Sequence, residues 1–82
     1  PKAPVHVLLI PKKHIKSLND LCEEDSDIIS HMMLMVKKVA EKVNIRDNGY
    51  RLVVNCGKDG GQEVPHIHFH ILGGKPLSWQ PA

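Results

Sequence analysis

Two hydrophobic periods divide the first half of the chain. Residues 5–10 form a short apolar run between two prolines, which predicts a buried β-strand. Over residues 25–43 the apolar positions recur at steps of three and four, which predicts one long amphipathic helix. Its apolar face consists of Ile28, Met32, Met35, Val36, Val39 and Val43. A strand followed by a helix is therefore expected in this half.

Charged residues mark both ends of the predicted helix. Acidic side chains surround its start and lysines follow at its end, the order that complements the helix dipole. Either Asp25 or Ser26 is available as the N-cap. The acidic residues at the start are Glu23, Glu24, Asp25 and Asp27. No further metal ligand stands at suitable spacing beside them, so they are interpreted as residues that stabilise the N-terminus of the helix rather than as a metal site.

The second half alternates with the period of a strand. Residues 50–55 and 66–72 predict two more strands, and a loop containing Gly57, Gly60 and Gly61 joins them. The resulting order is β, α, β, β. We therefore expect an α+β domain in which an antiparallel sheet carries one long helix packed on a face.

Composition restricts the classes of protein that remain. A chain of 82 residues is one domain, 1–82, and 41% hydrophobic with 24% charged residues is typical of a folded protein. No apolar run approaches the roughly 20 residues that span a bilayer. A net charge of +2 does not indicate a nucleic-acid partner. Cys22 and Cys56 are expected to be free thiols, which favours a reducing, cytoplasmic location.

The candidate chemistry lies in three histidines of the last strand. His66, His68 and His70 alternate with apolar residues, so a strand would place the three imidazoles on one face. One interpretation is an inert, solvated strand face. A second is a zinc site of two neighbouring histidines with His14 or Glu63.

All three histidines together are poor zinc ligands. At about 3.3 Å per residue the Cα atoms of His66 and His70 would lie about 13 Å apart, too far for easy sharing of one tetrahedral ion. A third interpretation is a phosphate site. It combines the glycine loop, the amides of Asn55 and Gln62, and imidazoles able to attack or to donate a proton.

The stretch VNCGKDGGQEVPHIHFHILGG, with PKKHI upstream, resembles the histidine-triad (HIT) superfamily and, within it, the Hint branch of purine nucleoside phosphoramidases. The resemblance extends from the first strand to Trp79. It implies a single HIT domain that lacks the family's N-terminal part, where the base pocket lies. The start at Pro1 with a strand at once agrees with a fragment or a processed product.

The resemblance also implies roles for individual residues. His68 would attack the α-phosphorus of a nucleoside phosphoramidate, His70 would bind the phosphate oxygens, and His66 with His14 would orient the nucleophile. Substrate contacts are implied for Asn55, Gly61, Gln62, Glu63, Val64 and Trp79. Glu63 stands where many relatives have Ser or Thr, so a hydroxyl contact to phosphate is lost there while the backbone N–H stays.

The sequence thus predicts a hydrolase or transferase that cleaves the P–N bond of purine nucleoside 5′-phosphoramidates through a nucleotidyl-histidine. It is expected to be a homodimer without metal, cofactor, nucleic-acid or membrane partner, with the helix and the strand 50–55 at the two-fold interface. The alternatives are a nucleotide-binding or protein-interaction module with little turnover, and a zinc-binding protein. Four residues are expected to lie outside the site. His6 is expected on a strand surface, His31 on an exposed helix face, and Lys12 with Lys13 as a solvated pair.

Overall fold

The computed structural model describes residues 3–78. Its elements are β1 (Val5–Leu9), two 3₁₀ turns (Leu18–Asp20 and Glu23–Asp25), α1 (Ser26–Lys42), β2 (Tyr50–Val53) and β3 (Phe69–Gly73). Within residues 3–78 the strands form one antiparallel sheet in the order β1, β3, β2. The predicted α+β class, with one helix on an antiparallel sheet, is confirmed. No helix in this part of the chain is long and apolar enough to cross a membrane.

The core lies between one face of the sheet and α1. Ile67 and Ile71 are almost completely buried, and α1 contributes its predicted apolar face. The buried helix residues are Met32, Val36 and Ala40. On β3 the buried residues alternate with half-buried ones, because neighbouring side chains of a strand point to opposite faces. Consequently His70 lies on the face of the sheet opposite the core.

The third strand begins later than the sequence pattern suggests. Regular pairing starts at Phe69, so the prediction of a strand from His66 was wrong at its start. The His66 N–H donates to the Val64 carbonyl at 2.8 Å, and the Ile67 N–H donates to the Ile15 carbonyl at 2.7 Å. Because these N–H groups bond to carbonyls outside the sheet, the first two histidines of the triad lie before the paired strand, His66 in a bend and His68 in the segment that leads into β3.

The two strands that pair with β3 are also shorter than the sequence predicted. β1 ends at Leu9, which pairs with Phe69, and β2 ends at Val53, which pairs with His70. The predicted strands extended to residues 10 and 55. Pro11 has no N–H to donate and is the second residue after the end of β1, so the chain turns away from the sheet there. The paired part of the sheet therefore stops just short of residues 66–68, which include the first two histidines of the triad.

The lysine-rich loop after β1, residues 10–17 and here called the basic loop, is attached to the start of α1 by an ion pair. Lys12 and Lys13 are both exposed, as expected of a solvated pair. The sequence did not predict that Lys13 Nζ lies 2.5 Å from Oδ1 of Asp25, whose side chain is buried. Asp25 does occupy the N-cap position of α1, but its side chain makes no capping hydrogen bond to that helix. The carboxylate instead accepts from the Cys22 N–H at 3.1 Å.

Candidate active site

Five histidine rings gather in two groups on and beside the part of the sheet where β1 ends and β3 begins. The ring centroids of His14 and His66 are 5.0 Å apart, with the rings edge to face. In the second group the centroid of His70 lies 5.0 Å from that of His68 and 5.1 Å from that of His6. The structure thus places all four histidines singled out in the sequence at this end of the sheet, together with a fifth.

His68 is held in one tautomer. Its Nδ1 lies 2.7 Å from the main-chain carbonyl oxygen of His66. A carbonyl oxygen only accepts hydrogen bonds, so Nδ1 carries the proton and donates it. In the neutral ring this leaves the lone pair on Nε2. An imidazole with its orientation set and its distal nitrogen unprotonated is a competent nucleophile.

His66 is held in the opposite tautomer. Its Nε2 lies 3.1 Å from the carbonyl oxygen of Pro11, so Nε2 is the protonated nitrogen. Its ring is half-buried against the exposed ring of His14. His66 therefore connects the main chain of the basic loop to His68, because its own carbonyl orients the His68 ring.

His70 shares a proton with His6. His6 Nε2 and His70 Nδ1 are 2.8 Å apart, so one ring donates and the other accepts. Burial, followed by the neighbouring His68 and His6, lowers the pKa of His70 below its usual 6.5. Neutral His70 is therefore favoured near pH 7. When its Nδ1 accepts from His6, its Nε2–H is free to donate to an anionic oxygen.

His6 is the site residue that sequence reasoning missed. In the register of β1 and β3 it stands opposite Leu72, with Leu8 opposite His70, so His6 is a diagonal neighbour of His70 on the same face. The alternation along residues 5–10 placed it on the outer face but did not indicate which strand would pair there.

The glycine-rich segment forms a tight loop closed by side-chain amides. Gly57 and Gly61 have φ of +74° and +79°, in the left-handed region that favours glycine. A Cβ at Gly60 would lie 2.4 Å from the carbonyl oxygen of Cys56, so only glycine fits there. Asn55 Nδ2 donates to the Gly60 carbonyl at 2.7 Å. The loop conformation is thus determined by close backbone packing.

Gln62 is engaged by the protein through both ends of its amide. Its Oε1 accepts from the Gly57 N–H at 2.9 Å. Its Nε2 donates to the carbonyls of Lys16 at 2.7 Å and Val64 at 3.0 Å. The side chain expected to contact substrate thus joins the glycine loop to the basic loop.

The remaining candidates lie at the edge of the site or outside the described residues. Glu63 and Val64 are exposed on the loop that precedes His66, and Trp79 lies outside residues 3–78. Cys22 and Cys56 are free thiols. Within residues 3–78 no three His, Cys, Asp or Glu side chains are grouped closely enough to hold a metal ion. This part of the chain therefore contains no preformed zinc cluster.

Comparison with known proteins places this geometry in a family. The model of the HIT domain matches residues 1–77. An uncharacterized HIT-like protein of Synechocystis sp. is 51% identical over 82 residues, covering 100% of this chain and 71% of the relative.

Solved structures agree with this result. A HIT family hydrolase from Legionella pneumophila Philadelphia 1 superposes with a TM-score of 0.96 at 46% identity, covering 100% of this chain and 73% of that one. A diadenosine triphosphate hydrolase from Plasmodium falciparum, solved in complex with Cyclomarin A, superposes with a TM-score of 0.63 at 31% identity, covering 92% of this chain and 50% of that one. With a family model along nearly its whole length and relatives of this similarity, the chain belongs to the HIT domain family.

Proposed function

We propose that the protein is a nucleotide hydrolase or transferase of the Hint type, acting on the P–N bond of purine nucleoside 5′-phosphoramidates. The observation that carries this proposal is the tautomer of His68, whose Nδ1–H is donated to the His66 carbonyl at 2.7 Å. Catalysis by a histidine nucleophile needs a free and oriented ring nitrogen, and this hydrogen bond fixes the ring and leaves Nε2 as that nitrogen.

In the first step Nε2 of His68 donates its lone pair to the α-phosphorus. The P–N bond breaks, its electron pair stays on nitrogen, and that nitrogen takes up a proton from solvent and departs as the amine. His70 donates its Nε2–H to the phosphoryl oxygens as charge develops on them. Of the loop N–H groups expected to bind this phosphate, those of Gly61 and Gln62 already donate to the carbonyls of Lys58 at 3.1 Å and Gly57 at 3.0 Å. We therefore propose that the N–H groups of Glu63 and Val64 hold the phosphate.

In the second step water attacks the phosphorus of the nucleotidyl-histidine. The bond between phosphorus and Nε2 of His68 breaks, the nucleoside monophosphate leaves, and water loses one proton to solvent. His68 returns to its neutral form with Nδ1–H still donated to His66. Asn55 supports the geometry by closing the loop onto Gly60, and the cycle needs no metal or cofactor.

The relatives support hydrolysis at a nucleotide phosphate. One similar structure is described as a HIT family hydrolase and another as a diadenosine triphosphate hydrolase. The exposed apolar side chain of Leu8 lies on the same outer face as His6, and it suits the flat ring of a purine. We propose that the active form is a homodimer.

The test is turnover of adenosine 5′-phosphoramidate by the full-length protein and its His68→Ala variant. We expect the variant to lose at least about a thousandfold in kcat, because it removes the nucleophile, while adenosine monophosphate still binds. His31→Ala, which removes an exposed histidine of α1, is the matched control and should keep full turnover.

Rapid quenching should trap adenylate on His68 in the parent protein. Turnover within tenfold of the parent in His68→Ala would exclude His68 as the nucleophile. A parent protein that binds the nucleotide without turnover would favour the binding module, and activity that depends on stoichiometric zinc would favour the zinc protein.

A further inference from the structure

The loop between β1 and the first 3₁₀ turn supports the histidine site through its main-chain carbonyl groups. We call residues 11–17 the scaffold segment. Three of its carbonyl oxygens accept hydrogen bonds from the site: that of Pro11 from His66 Nε2, that of Ile15 from Ile67 N, and that of Lys16 from Gln62 Nε2. A displacement of this segment would therefore move His66, the chain just before His68 and the end of the glycine loop together.

The scaffold segment is attached to the rest of the fold by an ion pair. Lys13 Nζ lies 2.5 Å from Oδ1 of Asp25, and the other carboxylate oxygen accepts from the N–H and the thiol of Cys22 at 3.1 and 3.3 Å. The Asp25 side chain is 3% exposed, whereas that of Lys13 is 48% exposed. The lysine thus reaches inward from the surface to a carboxylate that stays buried.

Helix capping explains only part of this buried charge. The Asp25 carboxylate closes a capping box on the second 3₁₀ turn by accepting from the Cys22 N–H, but it makes no capping hydrogen bond to α1. Burying a carboxylate is costly unless it is paired and hydrogen-bonded, and an uncharged side chain could cap the turn without that cost. The ion pair with Lys13 lies outside the capping box and connects the start of α1 to the residue next to His14.

We propose that Asp25 is a positioning residue of the active site, acting through Lys13 on the scaffold segment and through that segment on His66 and His68. The expected loss of turnover rests on the proposed function. The expected change at His66 rests only on the hydrogen bonds described above. Asp25 itself touches no reacting group.

The variants are Asp25→Asn and Lys13→Met, each of which removes one charge and keeps most of the side-chain volume. Asp27→Asn and Lys12→Met are matched controls, because each neutralises an exposed neighbour of the same type. We expect both test variants to lose about tenfold to a hundredfold in kcat at nearly unchanged KM, since a small misplacement of the nucleophile affects the transition state most.

The two residues should act as a unit. The double variant is expected to match the single variants to within about twofold, whereas independent effects would multiply. Lys13→Arg, which keeps the charge, should restore most of the turnover. Thermal unfolding of each variant establishes that it is folded at the assay temperature. Lys13→Met keeps the test decisive if Asp25→Asn does not fold.

A structural readout separates positioning from a general loss of stability. Ring ¹⁵N spectra should show His66 protonated on Nε2 in the parent protein and in Asp27→Asn, and a mixture of tautomers in folded Asp25→Asn. An unchanged His66 tautomer together with kcat within twofold of the parent in both test variants would overturn the inference. If the parent lacks phosphoramidase turnover, the proposed function fails, but the ¹⁵N comparison still decides whether Asp25 positions His66.

Discussion

At the scale of single residues, the His6 and His70 pair determines which nitrogen of His70 faces substrate. Burial and the neighbouring imidazoles lower the pKa of His70 below 6.5. In His6→Ala we expect this pKa to rise, because the substitution exposes the His70 ring to water and removes one of the neighbouring imidazoles that lower the pKa. An NMR titration of the His70 ring measures the pKa directly.

The same variant should lose about tenfold to a hundredfold in kcat/KM, because His70 is no longer held with its Nε2–H toward the phosphoryl oxygens. His31→Ala serves again as the control for general effects. An unaltered titration midpoint for His70 in His6→Ala would mean that the two rings do not share a proton.

The buried carboxylate of Asp25 makes stability depend on acid. The hydrogen bond from Lys13, followed by that from the Cys22 N–H, lowers the pKa of Asp25 below its usual 3.8. A carboxyl with a lowered pKa contributes its full stability above its unfolded-state pKa and loses it as pH falls through the folded-state pKa. The stability difference between the parent and Asp25→Asn should therefore be greatest at neutral pH and shrink below about pH 4. Denaturant unfolding at several pH values checks this, and a difference independent of pH would contradict it.

At the scale of elements, the glycine-rich loop is the part least able to accept a side chain. A Cβ at Gly60 would meet the Cys56 carbonyl oxygen at 2.4 Å, and the backbone atoms involved have no freedom to rotate away. We expect Gly60→Ala to displace the loop and to weaken adenosine monophosphate binding by about tenfold or more, because the phosphate N–H groups move with it.

Asp59→Ala is the matched control, since it replaces an exposed side chain in the same turn. Calorimetric titration with the nucleotide measures both variants. Parental affinity in Gly60→Ala would show that the loop contributes little to phosphate binding.

At the scale of the whole molecule, two surfaces favour the proposed homodimer. On α1, Met33 and Leu34 are 49% and 60% exposed. In the described sheet β2 pairs only with β3, so its other edge presents backbone N–H and carbonyl groups to a further strand. Both features belong to the helix and strand expected at the two-fold interface.

We expect the full-length protein to sediment as a dimer at micromolar concentration. Leu34→Glu should raise the dimer dissociation constant by at least about tenfold, because it places a charge in an apolar interface. Leu18→Glu is the control, since it substitutes a similarly exposed leucine, at 44%, outside those two elements. A parent protein that sediments as a monomer would refute the proposed assembly.

The sequence by itself determined the element types, the apolar face of α1 and the family motif, because each depends on residues close together in the chain. Periods of two and of 3.6 are local properties, and they located α1 to within one residue at each end. The sequence also predicted correctly that the histidines of the triad alternate with buried apolar residues. Burial alternates along residues 66–70, although regular strand pairing begins only at Phe69.

The tertiary structure alone decided which side chains meet across the chain. His6 and His70 are 64 residues apart in sequence, and Gln62 reaches the Lys16 carbonyl across 46. No local period encodes such contacts, because they depend on strand register and on the path of a loop. For the same reason the sequence did not predict the contact between Lys13 and Asp25. Taken separately, Lys13 was interpreted as a solvated lysine and Asp25 as a residue at the helix start. Only the packing of the scaffold segment against the start of α1 joins them into an ion pair.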